Sequence, residues 1–140
     1  MKKLFEDLKI LVVDDYENMR KKLLKDLEKL GLKVTEASNG VEALSILNKE
    51  KFDVMITDIV MPEMDGFELC EEVRKMVDLR DLPIVITSTH CDSGYIIKAL
   101  RLGADDYISK PIEPDVLEKV LRRIIPTEAD GSITLPSAIL

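Results

Sequence analysis

The sequence predicts an α/β domain built on a parallel sheet, and three observations carry that prediction. Ile10-Leu11-Val12-Val13 is an unbroken aliphatic run that ends in two adjacent acids, Asp14 and Asp15. Such a run suits a strand buried on both faces by covering helices. Phe52-Asp53-Val54-Met55-Ile56-Thr57-Asp58 repeats the arrangement, an apolar stretch that again ends in an acid. Strand-like runs then alternate with amphipathic helical stretches along the chain, five of each, as expected for right-handed β–α–β crossovers.

The first strand leads into a helix where Met19, Leu23, Leu24, Leu27 and Leu30 recur at helical spacing, with Gly31 as its stop. Lys33–Ala37 alternates and reads as a second strand near a sheet edge. Ser38-Asn39-Gly40 is a turn, with Asn39 as N-cap of a helix over residues 40–49 that offers Val41, Ala43, Leu44 and Leu47 to the core. The third strand covers residues 53–58. Its following loop, residues 59–66, holds Pro62 and Gly66, which delay a helix that buries Phe67, Leu69, Val73 and Met76. Residues 83–88 form a fourth strand ending in hydroxyls, and a helix over residues 93–102 is closed by Gly103. Residues 105–109 are a short fifth strand that runs into Lys110-Pro111. The last helix is predicted over Pro114–Ile124, with proline well placed in its first turn. Residues 1–125 thus form one domain; residues 126–140 show no helical or strand period and read as a flexible tail or linker.

A chain of 140 residues has room for one proper core rather than two. Its net charge of −7 argues against direct nucleic-acid binding by this domain, because a phosphate backbone rewards clustered Lys and Arg. Met1-Lys2-Lys3-Leu4-Phe5 opens like an export signal, but Glu6, Asp7 and Lys9 interrupt any apolar segment. No stretch reaches the ~20 apolar residues of a membrane span, so a cytoplasmic protein is expected. Cys70 and Cys91 have no metal-binding or redox spacing and read as free thiols, Cys70 as a small core residue. The Arg122-Arg123 and Glu71-Glu72 pairs read as solvated helix surfaces.

In open α/β sheets, ligands bind beyond the carboxyl ends of the strands. Four such ends here carry Asp14-Asp15, Asp58, Ser88-Thr89 and Lys110. At an effective dielectric of ~20, two unit charges ~4 Å apart repel by about 4 kcal/mol, so converging carboxylates require a cation or a raised pKa. With neither His nor Cys beside the acids, the donors are hard oxygens, which suits Mg²⁺ and disfavours zinc. Lys110 and Ser88 can meet phosphate oxygens as a point charge and a hydrogen-bond donor. A carboxylate beside the metal, with these groups opposite, can act as a nucleophile towards phosphorus.

On these residues the chain resembles the receiver domain of two-component response regulators, of the CheY type. The resemblance covers about residues 8–125. It rests on Asp14-Asp15, on Asp58 followed by Met61-Pro62-Glu63-Met64-Asp65-Gly66, on Ser88, and on Gly103-Ala104-Asp105-Asp106-Tyr107 leading to Lys110-Pro111. It implies a flavodoxin-like, doubly wound sheet of five parallel strands in the order 2-1-3-4-5 with five helices. It implies Asp58 as phosphoacceptor, taking its phosphoryl group from the phosphohistidine of a sensor histidine kinase. Mg²⁺, with Mn²⁺ as a substitute, would be held by Asp15, Asp58 and the Val60 backbone carbonyl, while Asp14 acts through water. Lys110, Ser88 and the backbone of Thr89 would contact the phosphate, and the Lys110–Pro111 peptide would be cis. Ser88 would pull on its loop and Tyr107 would turn inward, switching the face of the fourth helix, fifth strand and fifth helix for an effector protein or a fused output domain. The implied role is a signalling phosphoacceptor rather than an enzyme.

The chain also departs from the family's common pattern. Ser88 stands where Thr is more usual, and Thr89 fills a slot usually held by a small residue. Val60 and His90 occupy the two positions expected to govern water access to the acyl phosphate, and an apolar Val60 implies slow self-dephosphorylation. Val120, with Lys119 beside it, holds a slot in the fifth helix where dimerising regulators often carry Arg, so a monomer or weak homodimer is expected. Two other classes fit less of the sequence. A haloacid-dehalogenase-like phosphatase needs Asp-x-Asp where this chain has Asp14-Asp15-Tyr16. A flavodoxin-like cofactor binder needs a phosphate loop where two acids would repel the phosphate, and a Walker A loop is absent.

Overall fold

Five strands and five helices alternate in the computed structural model, which describes residues 5–90 and 92–125. They are β1 (Lys9–Val13), α1 (Glu17–Lys29), β2 (Lys33–Ala37), α2 (Gly40–Lys49), β3 (Val54–Asp58), α3 (Gly66–Lys75), β4 (Ile84–Ser88), α4 (Ser93–Arg101), β5 (Asp106–Ser109) and α5 (Pro114–Ile124). All neighbouring strands pair in parallel, in the order β2-β1-β3-β4-β5. The doubly wound order implied by the resemblance is the order observed. Residues 126–140, read above as a tail, and Cys91 lie outside the described residues. Among those described, no helix is long and apolar enough to cross a membrane.

The aliphatic runs become central strands because both of their faces are covered. In β1, Leu11 and Val13 join Met55, Ile84 and Ile86 beneath α2, α3 and α4. Ile10 and Val12 point the other way, with Val54, Ile56, Val85 and Ile108, against Leu23 and Leu27 of α1 and Leu117, Val120 and Leu121 of α5. This alternation follows from the two-residue period of a strand. Val120, noted above for the slot it holds, is a core residue and Lys119 is exposed beside it. Strand β2 lies at the edge, as its mixed composition predicts, with only Ala37 buried.

Several boundaries shift by one residue, each for a local reason. Asp53 stays outside β3, and its carboxylate accepts the Lys9 backbone N–H at 2.8 Å. Asp105 stays outside β5, because its carboxylate accepts the Ile84 N–H at 2.8 Å and pairs with Arg74 at 3.1 Å. Leu102 caps α4 instead of ending it, before Gly103 at φ 105°. Two expectations fail: Val41, placed by its spacing on the buried face of α2, is exposed, and α2 buries Gly40, Ala43 and Leu47 instead; Met76 lies beyond α3 as its half-buried C-cap. Neither Phe5, fully buried under α1 and α5, nor the 3-10 turn Val77–Leu79 was expected.

Candidate phosphoacceptor site

The parallel sheet delivers the ends of β1, β3, β4 and β5 to one rim, and the side chains singled out in the sequence meet there. Register pairs Val13 with Thr57, Asp58 with Thr87, and Ser88 with Ser109, so the residues that follow each strand emerge side by side. One carboxylate oxygen from each of Asp14, Asp15 and Asp58 lies within 4.8 Å of the others. Lys110 Nζ stands 3.2 Å from Asp14 Oδ2 and 3.2 Å from Asp58 Oδ2, with all three side chains nearly buried. Asp15 is the exposed acid of the group.

Asp14 and Asp58 are oriented by backbone neighbours. The Tyr16 backbone N–H donates to Asp14 Oδ1 at 2.9 Å, and the Ile59 N–H donates to Asp58 Oδ1 at 2.8 Å. Arg20 donates to the Asp14 carbonyl at 2.7 Å and to Glu36 Oε1 at 3.0 Å, tying the β1–α1 turn to β2. Burial pushes the Asp58 carboxyl above the usual carboxylate range; Lys110 opposes that rise and the Asp14 charge adds to it. The cause is physical: a desolvated carboxylate beside another acid loses stabilisation that one ammonium only partly restores.

This donor set fits a divalent cation bound through oxygen. Three carboxylates face one ammonium, so negative charge is in excess, and all of the clustered ligand atoms are oxygens. A hard cation among them would offset both the desolvation and the Asp14 repulsion that lift the Asp58 pKa.

The remaining predicted residues surround this cluster. Ser88 is buried at the end of β4, where its Oγ accepts the His90 N–H at 3.0 Å and its carbonyl accepts the Lys110 N–H at 2.8 Å. The Lys110–Pro111 peptide is cis. Tyr107 is half-buried, and its hydroxyl donates to the His90 carbonyl. Val60, Thr89 and His90 are exposed on the loops beside Asp58 and Ser88. Three contributors escaped the sequence reading: Arg20, Tyr95, whose ring lies against His90, and Gly66 as a packing element. Gly66 carried a visible signal, since it follows a capping residue, but spacing alone does not reveal what its α-carbon touches.

The site's geometry can now be set beside known proteins. A family model described as the response regulator receiver domain matches residues 10–122. The chain belongs to the response regulator receiver family. This receiver domain is 42% identical over 122 residues to a Campylobacter jejuni CheY homologue, a match that spans 86% of this chain and 94% of that protein. It is also 42% identical over 117 residues to the probable transcriptional regulator ycf27 of Guillardia theta, covering 84% of this chain and 45% of that one. The receiver thus spans about half the length of such ycf27 relatives. Its backbone matches a putative response regulator from Chloroflexus aurantiacus with a TM-score of 0.82 at 33% identity, covering 85% and 98% of the two chains. It also matches the receiver domain of a Pseudomonas aeruginosa sensor histidine kinase, solved with magnesium coordinated in its active-site cleft. That TM-score is 0.78 at 26% identity, with 84% and 96% of the chains covered.

Proposed function

We propose that Asp58 is the phosphoacceptor of this receiver, charged by the phosphohistidine of a sensor histidine kinase with Mg²⁺ held at Asp14, Asp15 and Asp58. The observation that carries this reading is the convergence of three acidic side chains within 4.8 Å, with Lys110 at 3.2 Å from Asp58. Magnesium bound there, with the Val60 backbone carbonyl as a further ligand and Mn²⁺ as a substitute, would supply a Lewis acid that neutralises phosphoryl oxygens. The Asp58 carboxylate attacks phosphorus while the phosphorus–nitrogen bond of the donor breaks, its electron pair leaving with the imidazole. Lys110 stabilises the transferring group by its charge, and the Ser88 hydroxyl and Thr89 backbone bind its oxygens.

The same reading assigns the output. Ser88 and Tyr107 form the switch pair, and the surface of α4, β5 and α5 faces a protein effector or a fused output domain. The domain acts in the cytoplasm, as a monomer or weak homodimer, without touching nucleic acid itself; the chain's net charge of −7 supports the last point. The receiver unit is bounded at residues 1–125, of which residues 1–4 lie outside those described, and the chain's chemistry is confined to its own phosphotransfer and dephosphorylation.

Incubation with Mg²⁺ and acetyl phosphate tests the assignment by mass spectrometry. One base-labile phosphoryl group is expected, absent when metal is chelated and absent in Asp58→Asn. A wild-type protein that stays unmodified overturns it. A companion measurement concerns Val60, whose exposed apolar side chain follows the acceptor by two residues. Val60→Asn is expected to shorten the phosphoryl lifetime by about tenfold, the effect of lowering a hydrolytic barrier by ~1.4 kcal/mol. Equal decay rates contradict a water-excluding role.

A further inference from the structure

The β1–α1 turn is held by a side chain whose charge works against the site it borders. Asp14 is gripped on both sides of its α-carbon. Its N–H donates to the Ala37 carbonyl of β2 at 3.1 Å, and its carbonyl, part of the Asp14–Asp15 peptide, accepts Arg20 Nη1 at 2.7 Å. The Arg20 side chain is mostly buried and is itself aimed by Glu36 of β2. Glu36 Oε1 accepts Arg20 Nε at 3.0 Å, while its Oε2 accepts Lys21 Nζ at 2.9 Å. The Asp14 carboxylate has partners of its own in the Tyr16 N–H and Lys110. Asp15 differs: among the described residues its carboxylate takes no hydrogen bond and no ion pair, yet it reaches the acidic cluster. Its direction is therefore set by the backbone that bears it, and Arg20 fixes the peptide through which that backbone arrives.

We propose, building on the assignment of Mg²⁺ to Asp14, Asp15 and Asp58 above, that Arg20 is a positioning residue for the metal site and Glu36 the group that aims it. By holding the carbonyl of the Asp14–Asp15 peptide, Arg20 sets how the two carboxylates leave the end of β1. Groups that orient metal ligands in this way raise affinity without touching the ion. Charge alone predicts the reverse, because a guanidinium beside a cation site repels the cation. The effect also depends on the ion. Mg²⁺ demands near-ideal octahedral geometry, whereas Ca²⁺ accepts irregular arrangements of oxygens, so disordering the peptide penalises Mg²⁺ more. Only a planar fork can bond Asp14 and Glu36 together, which a lysine at this position could not. The edge strand β2 thereby contributes to the site through Glu36 and Ala37.

Titration of the full chain with Mg²⁺ and with Ca²⁺, followed by the NMR shifts of the Asp15 and Asp58 backbone amides, tests this without any phosphodonor. In Arg20→Ala the Mg²⁺ dissociation constant is expected to rise about tenfold, as when a group that orients a metal ligand is removed, and the Ca²⁺ constant to rise less. Arg20→Lys, which keeps the charge, is expected to behave like Arg20→Ala. A Mg²⁺ constant that stays or falls in Arg20→Ala, or a Ca²⁺ constant that rises as much, overturns the inference. Two variants of Glu36 test it even if Arg20→Ala does not fold. Glu36→Gln and Glu36→Ala remove the same charge, but only glutamine keeps an oxygen for Arg20 Nε. Mg²⁺ is expected to bind Glu36→Gln nearly as it binds the wild type and Glu36→Ala several-fold more weakly; equal constants for the two overturn the inference. If the wild type binds Mg²⁺ and Asp58→Asn weakens that binding, the metal assignment stands whatever the Arg20 and Glu36 variants do. A wild type whose signals Mg²⁺ leaves unmoved overturns both.

Discussion

Asp58 shows how a single side chain can be held in readiness at a cost to the fold. Burial is the largest cause of its raised pKa, ahead of the opposing charge of Lys110 and the added repulsion of Asp14. The folded state therefore binds this proton more readily than the unfolded chain does. By linkage, the stability contributed by Asp58 is full below the ordinary carboxylate value and declines as pH rises through the folded value. In metal-free protein, the thermal midpoint of the wild type should fall across that interval relative to that of Asp58→Asn. A wild-type midpoint that rises there relative to Asp58→Asn contradicts the assignment of cause. Mg²⁺ at about 100 times its dissociation constant should add ~2.7 kcal/mol of stability to the wild type, and little to Asp58→Asn. The acids were legible from sequence because they close apolar runs, and Lys110 because it follows the short fifth strand-like segment. Arg20 was not: nothing in its spacing announces a bond to the Asp14 carbonyl, which exists only once α1 has folded back against β1 and β2.

At the level of elements, the junction between β3 and α3 carries the most consequence. Asp65 accepts the Glu68 N–H at 2.8 Å, and the Glu68 carboxylate returns a bond from the Asp65 N–H, a reciprocal cap that fixes where α3 begins. Gly66 then lies against the strand that bears Asp58. A Cβ on Gly66 would come within 2.1 Å of the Asp58 carbonyl and 2.9 Å of the Ile59 α-carbon, both backbone atoms that cannot swing aside. Asp65→Ala should lower stability by about 1 kcal/mol, measured by urea denaturation, with phosphorylation largely kept. Gly66→Ala should displace the end of β3 and so impair Mg²⁺ binding and phosphorylation as well as stability. If both variants lose only stability, the glycine's close approach has no bearing on the acceptor. The sequence marked Gly66 as loop punctuation; what it touches depends on how α3 docks on the sheet.

For the whole molecule, the core divides into two layers on either side of one sheet, and each layer draws on distant parts of the chain. Phe5 is fully buried in the layer beneath α1 and α5, beside Ile10, Leu32, Leu121 and Ile125. Phe5→Ala should cost about 3–5 kcal/mol by chemical denaturation, and a loss under 1 kcal/mol would show that the N-terminal segment is dispensable to the core. It stands in a Leu4-Phe5 pair between Lys2-Lys3 and Glu6-Asp7, so no periodicity points to it. The alternation of strands and helices, the burial of the central strands and the chemistry of their ends were all readable in advance. They follow from local rules, since an aliphatic run must be covered on both faces and an acid after it must lie at the rim. Strand order came only through the resemblance. The meeting of Asp14, Asp15, Asp58 and Lys110 within bonding distance, the direction of the Asp58 pKa, and the bond from Arg20 to the Asp14 carbonyl belong to the folded molecule. Each depends on distances between residues far apart in the chain, which packing sets and residue order does not encode locally.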